Sequence, residues 1–427
     1  MQTIVFEVDN LADLVRLALD TTMSSFTTQE LNAVKAAFNN TSPADPHFQL
    51  DIRLTRNFDL NYSDYWNKPE GSIFINMNRS VKTLTYSGGF DYSVTIYKCI
   101  DGGIYDSNNE VIGKHSITNI YLRKGSIFMN IPFAANQPIN ISPAMKNIDI
   151  EVVSNSGYIV YNIGNGGTSY FKDNRIFHNV CFNIKAYNLV NPLFYMRRAY
   201  SYAETGSGAP YGLIQFENCV FNIYIAVINN TDDTKNNIIT VDTTSGASGI
   251  VNFYSCIFRI RNASNKVYSI VCDTKTNSAP MLVLKMDNCA VFLQDIGVGK
   301  PPYQDGDSPA QTFGKVCILR VNSNNININA DCFKFVNSYI AAFGDILAAE
   351  KAQVLLVGYG IAYNGLTTYA TNCSSSFYDK NKVKVLYWVG GSYPQEVDQV
   401  WLRALTTTEC KDTNKLSEIG YIFCEET

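Results

Sequence analysis

The chain has 427 residues, enough for one large core or for two domains. Charged residues are sparse at 17%, aromatics reach 13% and the net charge is −4, a balance that excludes a disordered chain and, with no Lys/Arg run, argues against a nucleic-acid partner. No run of about 18 apolar residues occurs, so no membrane span is expected.

The first residues, Met1 to Asp9, carry no basic region followed by an apolar stretch. They do not read as a signal peptide, and the chain is expected to be made and folded in a reducing cytosol. Asp9-Asn10 precedes Leu11, Leu14, Val15, Leu17 and Ala18, an amphipathic helix pattern with an N-cap. Thr27-Thr28-Gln29-Glu30 reads as a capping box that opens a second helix through Leu31, Val34 and Phe38. Residues 1–45 are therefore expected to form a strand and helix segment. It either caps the exposed strand edges of the β-rich region beyond residue 45 or docks the protein to a larger body.

From 46 to 389 a short phrase recurs. It reads His178-Asn179-Val180-Cys181-Phe182-Asn183-Ile184, then Glu217-Asn218-Cys219-Val220-Phe221-Asn222-Ile223, then Tyr254-Ser255-Cys256-Ile257-Phe258-Arg259-Ile260. It returns as Asp287-Asn288-Cys289-Ala290-Val291-Phe292 and Phe335-Val336-Asn337-Ser338-Tyr339-Ile340. The Asn or Ser markers are separated by 39, 37, 33 and 49 residues. Weaker copies at Asn119 and Asn147 extend the series upstream, at spacings of 28 and 32 residues. Each phrase is β-branched, aromatic and alternating, so each reads as a strand. A degenerate phrase at such spacing marks a repeat architecture whose length variation sits in loops. Further apolar runs, such as Gly249 to Phe253 and Met281 to Met286, supply the other faces. Helical periodicity is missing from this region.

The expected fold class is all-β: a right-handed, single-stranded parallel β-helix. Roughly ten coils at about 4.8 Å would make a rod of about 50 Å. In-register stacking turns the phrase into ladders: Asn179, Asn218, Ser255, Asn288 and Asn337 in one, and Cys181, Cys219, Cys256 and Cys289 in another. Asn tolerates the left-handed backbone of a sharp corner, and its amides can bond along a stack. Cys is a small apolar filler. The chain has 11 Cys, an odd number with no CxxC pair, so free buried thiols are expected and neither a disulfide framework nor a metal site is.

After Val389 the turn-rich Gly390-Gly391-Ser392-Tyr393-Pro394 opens a different segment, 390–427. Asp412 can N-cap a short helix that Gly420 ends, with Trp401 and Tyr421 as anchors. A small C-terminal module is expected.

Chemistry is hard to find. Asn230-Thr231-Asp232-Asp233 is similar to the Asn-Thr-Asp of pectin-hydrolysing β-helices, but no matching Gly-His-Gly or Arg-Ile-Lys follows. The 3 His are scattered, and neither Asp305-Gly306-Asp307 nor Asp106 to Glu110 completes a calcium loop. No catalytic residue and no cofactor is predicted. Binding has more support. Loops bearing Tyr200, Tyr202 and Tyr211, and Tyr303, mix Tyr with Ser, Gly or Pro, a recognition composition that reads equally as subunit contact or as a solvated loop; Asp232 and Asp233, the other binding candidates, lie in an Asn/Thr-rich stretch that reads first as a solvated coil corner.

The repeated phrases, the helical N-terminus and the tail Leu405-Thr406, Cys410, Asp412, Leu416 and Ile419-Gly420-Tyr421 resemble the pectate-lyase-like β-helix virion proteins of tailed bacteriophages, including those of crAss-like phages of gut Bacteroidetes. That resemblance implies a homotrimer on a phage tail or capsid, as a spike, fibre or decoration. It also implies other virion proteins as partners, cell-surface glycan as a receptor, and location in the virion. Some members of the family cleave glycans, so a depolymerase is the alternative to a structural role.

Overall fold

The structure, a computed structural model, describes residues 2–19, 23–40, 47–60, 74–75, 80–85, 87–89, 91–122, 126–129, 142–154, 158–163, 174–186, 189–197, 212–226, 228, 235–242, 249–262, 264, 268–273 and 282–295, with short strands between 316 and 396. The expected C-terminal module lies outside the described residues except for Gln395–Glu396, which pairs antiparallel with Leu386–Tyr387.

The chain is strand-rich, and most of its strands join one large, mainly parallel sheet. Each central repeat contributes a pair of short strands to it: Gly212–Glu217 with Val220–Ile225, Gly249–Tyr254 with Ile257–Asn262, and Leu282–Asp287 with Ala290–Asp295. In the repeat before them both parts form one strand, Asn174–Ala186. Every part pairs in parallel with its counterpart one repeat later and without a register shift. A second parallel sheet runs through Phe194–Arg197, Asn237–Asp242, Tyr268–Asp273 and Val316–Val321.

Alternation sets the faces. In Val220–Ile225 the side chains of Phe221, Ile223 and Ile225 are buried, while Val220, Asn222 and Tyr224 are half-exposed. Register then stacks like on like. Phe182, Phe221 and Phe258 form one aromatic stack with ring centroids 4.8 and 4.7 Å apart. Phe177, Phe216 and Phe253 form a second, at 5.1 Å for both steps. The two stacks meet edge to face, as at Phe216 and Phe221, 5.1 Å apart. A one-residue slip would turn every one of these rings outward, which is why the register is strongly specified.

At the N-terminal end, strand Gln2–Val8 pairs in parallel with His47–Leu54. Between them run helices α1 (Leu11–Leu19) and α2 (Thr28–Asn39). Asn10 caps α1, its Oδ1 accepting from the Asp13 amide at 2.8 Å. Thr27 and Glu30 form the capping box of α2. Arg16 of α1 donates twice to the Glu30 carboxylate, at 2.9 and 2.8 Å, and so ties the helices together. Leu14, Leu17, Ala18, Val34 and Phe38 share one continuous core with Phe48, Leu50 and Ile52. Lys98 is buried in that core, and its ammonium donates to the Leu17 carbonyl at 2.7 Å, where the end of α1 carries partial negative charge.

The repeat before Asn147 departs from the expected spacing. The strand ending at Asp101 and the stretch from His115 both pair with Ser142–Ser154, one on each side of Asn147. Between them Gly103–Tyr105 and the start of Val111–Leu122 form an inserted antiparallel hairpin. Asn119 has φ 55 but sits at a register shift, bonded to Asp59 at 2.9 Å, so it is not the counterpart of Asn147.

Candidate functional site

The marker residues occupy the left-handed region. Asn147, Asn179, Asn218, Ser255 and Asn288 have φ of 51, 55, 53, 54 and 56. Asn carries this backbone at lower cost than other side chains, because its short amide bonds locally. The amide of Asn179 donates to Asn147 Oδ1 at 2.9 Å, and that of Asn288 to Ser255 Oγ at 3.0 Å. Asn337 lies outside the described residues.

The thiols stack next to this column. Cys219, Cys256 and Cys289 are buried and donate to the carbonyls of Phe177, Phe216 and Phe253 in the preceding repeat, at 3.3, 3.4 and 3.5 Å. Burial pushes the Cys256 thiol far up, and contact with Cys219 and Cys289 adds to it. Cys181 does not belong to this ladder. It pairs with Val220 and Asp149, one residue further along, on the outer face. The stack of Phe182 on Phe221 sets that register, which places Val180 opposite Cys219. Burial still raises the Cys181 pKa to about 11.

The residues before the markers form a polar column that continues upstream through Asp101 and Arg53. Arg53, Asp101, Lys146, His178, Glu217, Tyr254 and Asp287 succeed one another in register. Like charges directly opposite would repel, and here unlike groups mostly meet. Arg53 Nε lies 3.5 Å from Asp101 Oδ2, Lys146 Nζ lies 3.6 Å from the same oxygen, and His178 Nδ1 lies 3.2 Å from Glu217 Oε2. Lys285 bridges the last members, 3.0 Å from Asp287 and over the Tyr254 ring.

The upper end of the column gathers several ionisable groups around Asp101. Asp51 and Asp101 are buried, and the Lys146 ammonium contacts both. Asp101 also accepts from the Tyr105 hydroxyl at 2.8 Å and the Gly103 amide at 3.0 Å. Asn147 donates to the Tyr105 hydroxyl at 3.1 Å, and the Arg53 guanidinium lies 4.2 Å from the centre of the Tyr105 ring. Gly102 starts the hairpin because a Cβ there would stand 2.7 Å from Ile148 Cβ and 2.8 Å from the Asn147 carbonyl.

Burial disfavours the Lys146 ammonium, but Cys99, then Asp51 through its charge and hydrogen bond, and Asp101 together outweigh it and raise its pKa. Burial, with the hydrogen bond to Asp101, raises that of Tyr105. Burial, with the charge of Asp51, pushes the Cys99 thiol well up. All three groups hold their protons at neutral pH, and the two carboxylates face the two cations Arg53 and Lys146. Glycoside hydrolysis needs two carboxyl groups with a sugar or water between them, whereas here an ammonium occupies that place. The arrangement is a charge-balanced clamp on the base of the hairpin.

The hairpin itself is exposed. Ile104 is 39%, Val111 39% and Ile112 68% exposed, three of the four large apolar side chains exposed among the described residues. Its turn is held by Asp106 Oδ1, which accepts from the amides of Asn108 and Glu110 at 2.9 and 2.8 Å.

The loop residues predicted to bind, Tyr200, Tyr202, Tyr211, Tyr303, Asp232 and Asp233, lie outside the described residues. Among the described residues no group of three or more His, Cys, Asp or Glu is placed to hold a metal ion, and no helix is long and apolar enough to cross a membrane. No family model, curated protein or solved structure matches this chain.

Proposed function

We propose that the chain is a right-handed parallel β-helix, capped by α1 and α2 and completed by a small C-terminal module, and that it is a structural component of a tailed-phage virion. In this reading it works as a homotrimeric spike, fibre or decoration among other virion proteins, with tyrosine-bearing loops turned toward host glycan. Its mechanism is mechanical. The observation that carries the reading is the unbroken register of the Phe, Asn and Cys stacks from one repeat to the next. The described strands of each central repeat are bonded to those of the next, and the cluster of Asp51, Asp101 and Lys146 holds a hairpin in place rather than standing free for acid–base work. The exposed hairpin, clamped at its base, is the contact element of this reading.

Light scattering on the purified chain, with and without unheated SDS, tests it. An SDS-resistant mass of three chains supports the virion component. A monomer that dissolves at once in SDS, or release of new sugar ends from a bacterial surface polysaccharide, would overturn it.

A further inference from the structure

Strand Gln2–Val8 pairs with His47–Leu54 and, among the described residues, with no other strand. The Val8 carbonyl accepts from the Thr55 amide at 3.0 Å, which shows which residues face the neighbour. Backbone groups alternate sides along a parallel strand, so Gln2, Ile4, Phe6 and Val8 bond inward across the sheet. Thr3, Val5 and Glu7 therefore direct their amides and carbonyls away from it. The same three side chains are exposed, Val5 to 38%, while Ile4 and Val8 are buried. This edge carries no Pro, no Lys and no bulge, three of the devices that keep a second strand away, and its one charged side chain is Glu7.

We propose that this edge is an isologous docking surface for a second copy of this chain, paired antiparallel about a two-fold axis at Val5. The pattern is self-complementary. With Val5 opposite its own counterpart, Thr3 stands opposite Glu7, and Ile4 opposite Phe6. The outward-facing residues, Thr3, Val5 and Glu7, then meet one another as the hydrogen-bonded pairs of an antiparallel ladder, so their amides and carbonyls find partners. No two like charges meet, because Glu7 faces the Thr3 hydroxyl. The exposed apolar side chain of the strand lies on the axis, where two valines cover each other. A closed two-fold contact also stops at two edges and does not propagate into a fibre. If the chain is trimeric along its length, the same contact joins two trimers, and the number of chains stays even.

The test uses the full chain. Sedimentation at rising concentration should give an even number of chains. Val5→Lys sets two ammoniums against each other on the axis and should weaken the association on the order of tenfold. Its backbone groups face outward, so the circular dichroism of the variant should match the parent. The register is read by cross-linking under mild oxidation, against the background of the parent chain. Val5→Cys should form a disulfide-linked pair. Glu7→Cys should not, because its counterpart lies four residues along the strand, about 13 Å away. The double variant Thr3→Cys/Glu7→Cys should link again. An odd number of chains, a mass indifferent to Val5→Lys, or cross-linking at Glu7→Cys as fast as at Val5→Cys would overturn the proposal.

Discussion

Asp101 and Lys146 stand at the same position on neighbouring strands, with Lys146 Nζ 3.6 Å from Asp101 Oδ2, and the same ammonium reaches Asp51. Both carboxylates are buried, so each depends on the cations beside it. Replacing Lys146 by Met should lower the stability by about 3 kcal/mol or more, because it leaves buried carboxylates short of a partner. Adding Asp51→Asn and Asp101→Asn should recover much of that loss. Urea unfolding of the single and triple variants measures both. Equal stability of Lys146→Met and the parent would show that the clamp does not stabilise the fold.

The left-handed markers make a separate prediction. At Asn218, with φ 53, glycine has no steric cost and a β-branched residue has a large one. Asn218→Gly should unfold close to the parent, and Asn218→Val should lose about 1–2 kcal/mol. Asn179→Gly should lose about 1 kcal/mol, because its amide bond to Asn147 goes with it. Thermal melts of the three variants order them.

Thiol labelling separates the cysteines. Cys219, Cys256 and Cys289 are buried and bonded to carbonyls, so a disulfide reagent should leave them untouched until the chain unfolds. Cys181 is half-exposed, with a pKa of about 11. Its labelling should be slow at neutral pH and rise about tenfold per pH unit as its thiolate appears, up to that value. Peptide mapping after labelling at two pH values decides it. Fast labelling of Cys256 in the folded chain would contradict the stack.

The N-terminal helices should be acid-sensitive. The hydrogen bonds from Arg16 hold the Glu30 carboxyl below its ordinary value of 4.5, against the opposing effect of burial. A depressed carboxyl adds stability that is fully present above pH 4.5 and is lost as pH falls through the folded-state pKa. Helix content should therefore start to fall below that pH, and Glu30→Gln should be less stable than the parent at pH 7 and closer to it at low pH. Circular dichroism against pH reads both.

Much of the strand pattern was legible because the phrase around Phe182, Phe221 and Phe258 states its own alternation. The markers Asn147, Asn179, Asn218 and Asn288 were legible too, since Asn turns the backbone left-handed at low cost. Cys181 misled because the eye aligns cysteines, whereas the apolar face sets the register and shifts Cys181 by one residue. The hairpin was hidden by an accident of length: 28 residues from Asn119 to Asn147 imitate a repeat. The clamp of Asp51, Asp101 and Lys146 had no local signal at all. Its members lie 50 and 45 residues apart and meet only through pairing across neighbouring strands. One clue was available: Lys146 directly precedes a marker, as His178 and Glu217 do.

The central claim is that consecutive repeats lie side by side in register. Cys181 pairs with Val220 one repeat on, and Val220 pairs with Ile257 one repeat further. Mild oxidation of Val220→Cys should yield an intramolecular disulfide between Cys181 and the new thiol, seen by peptide mass mapping, and Ile257→Cys should leave Cys181 free. A Cys181–Cys219 disulfide in the parent chain, or a link between Cys181 and position 257 formed as readily as that to position 220, would contradict the account.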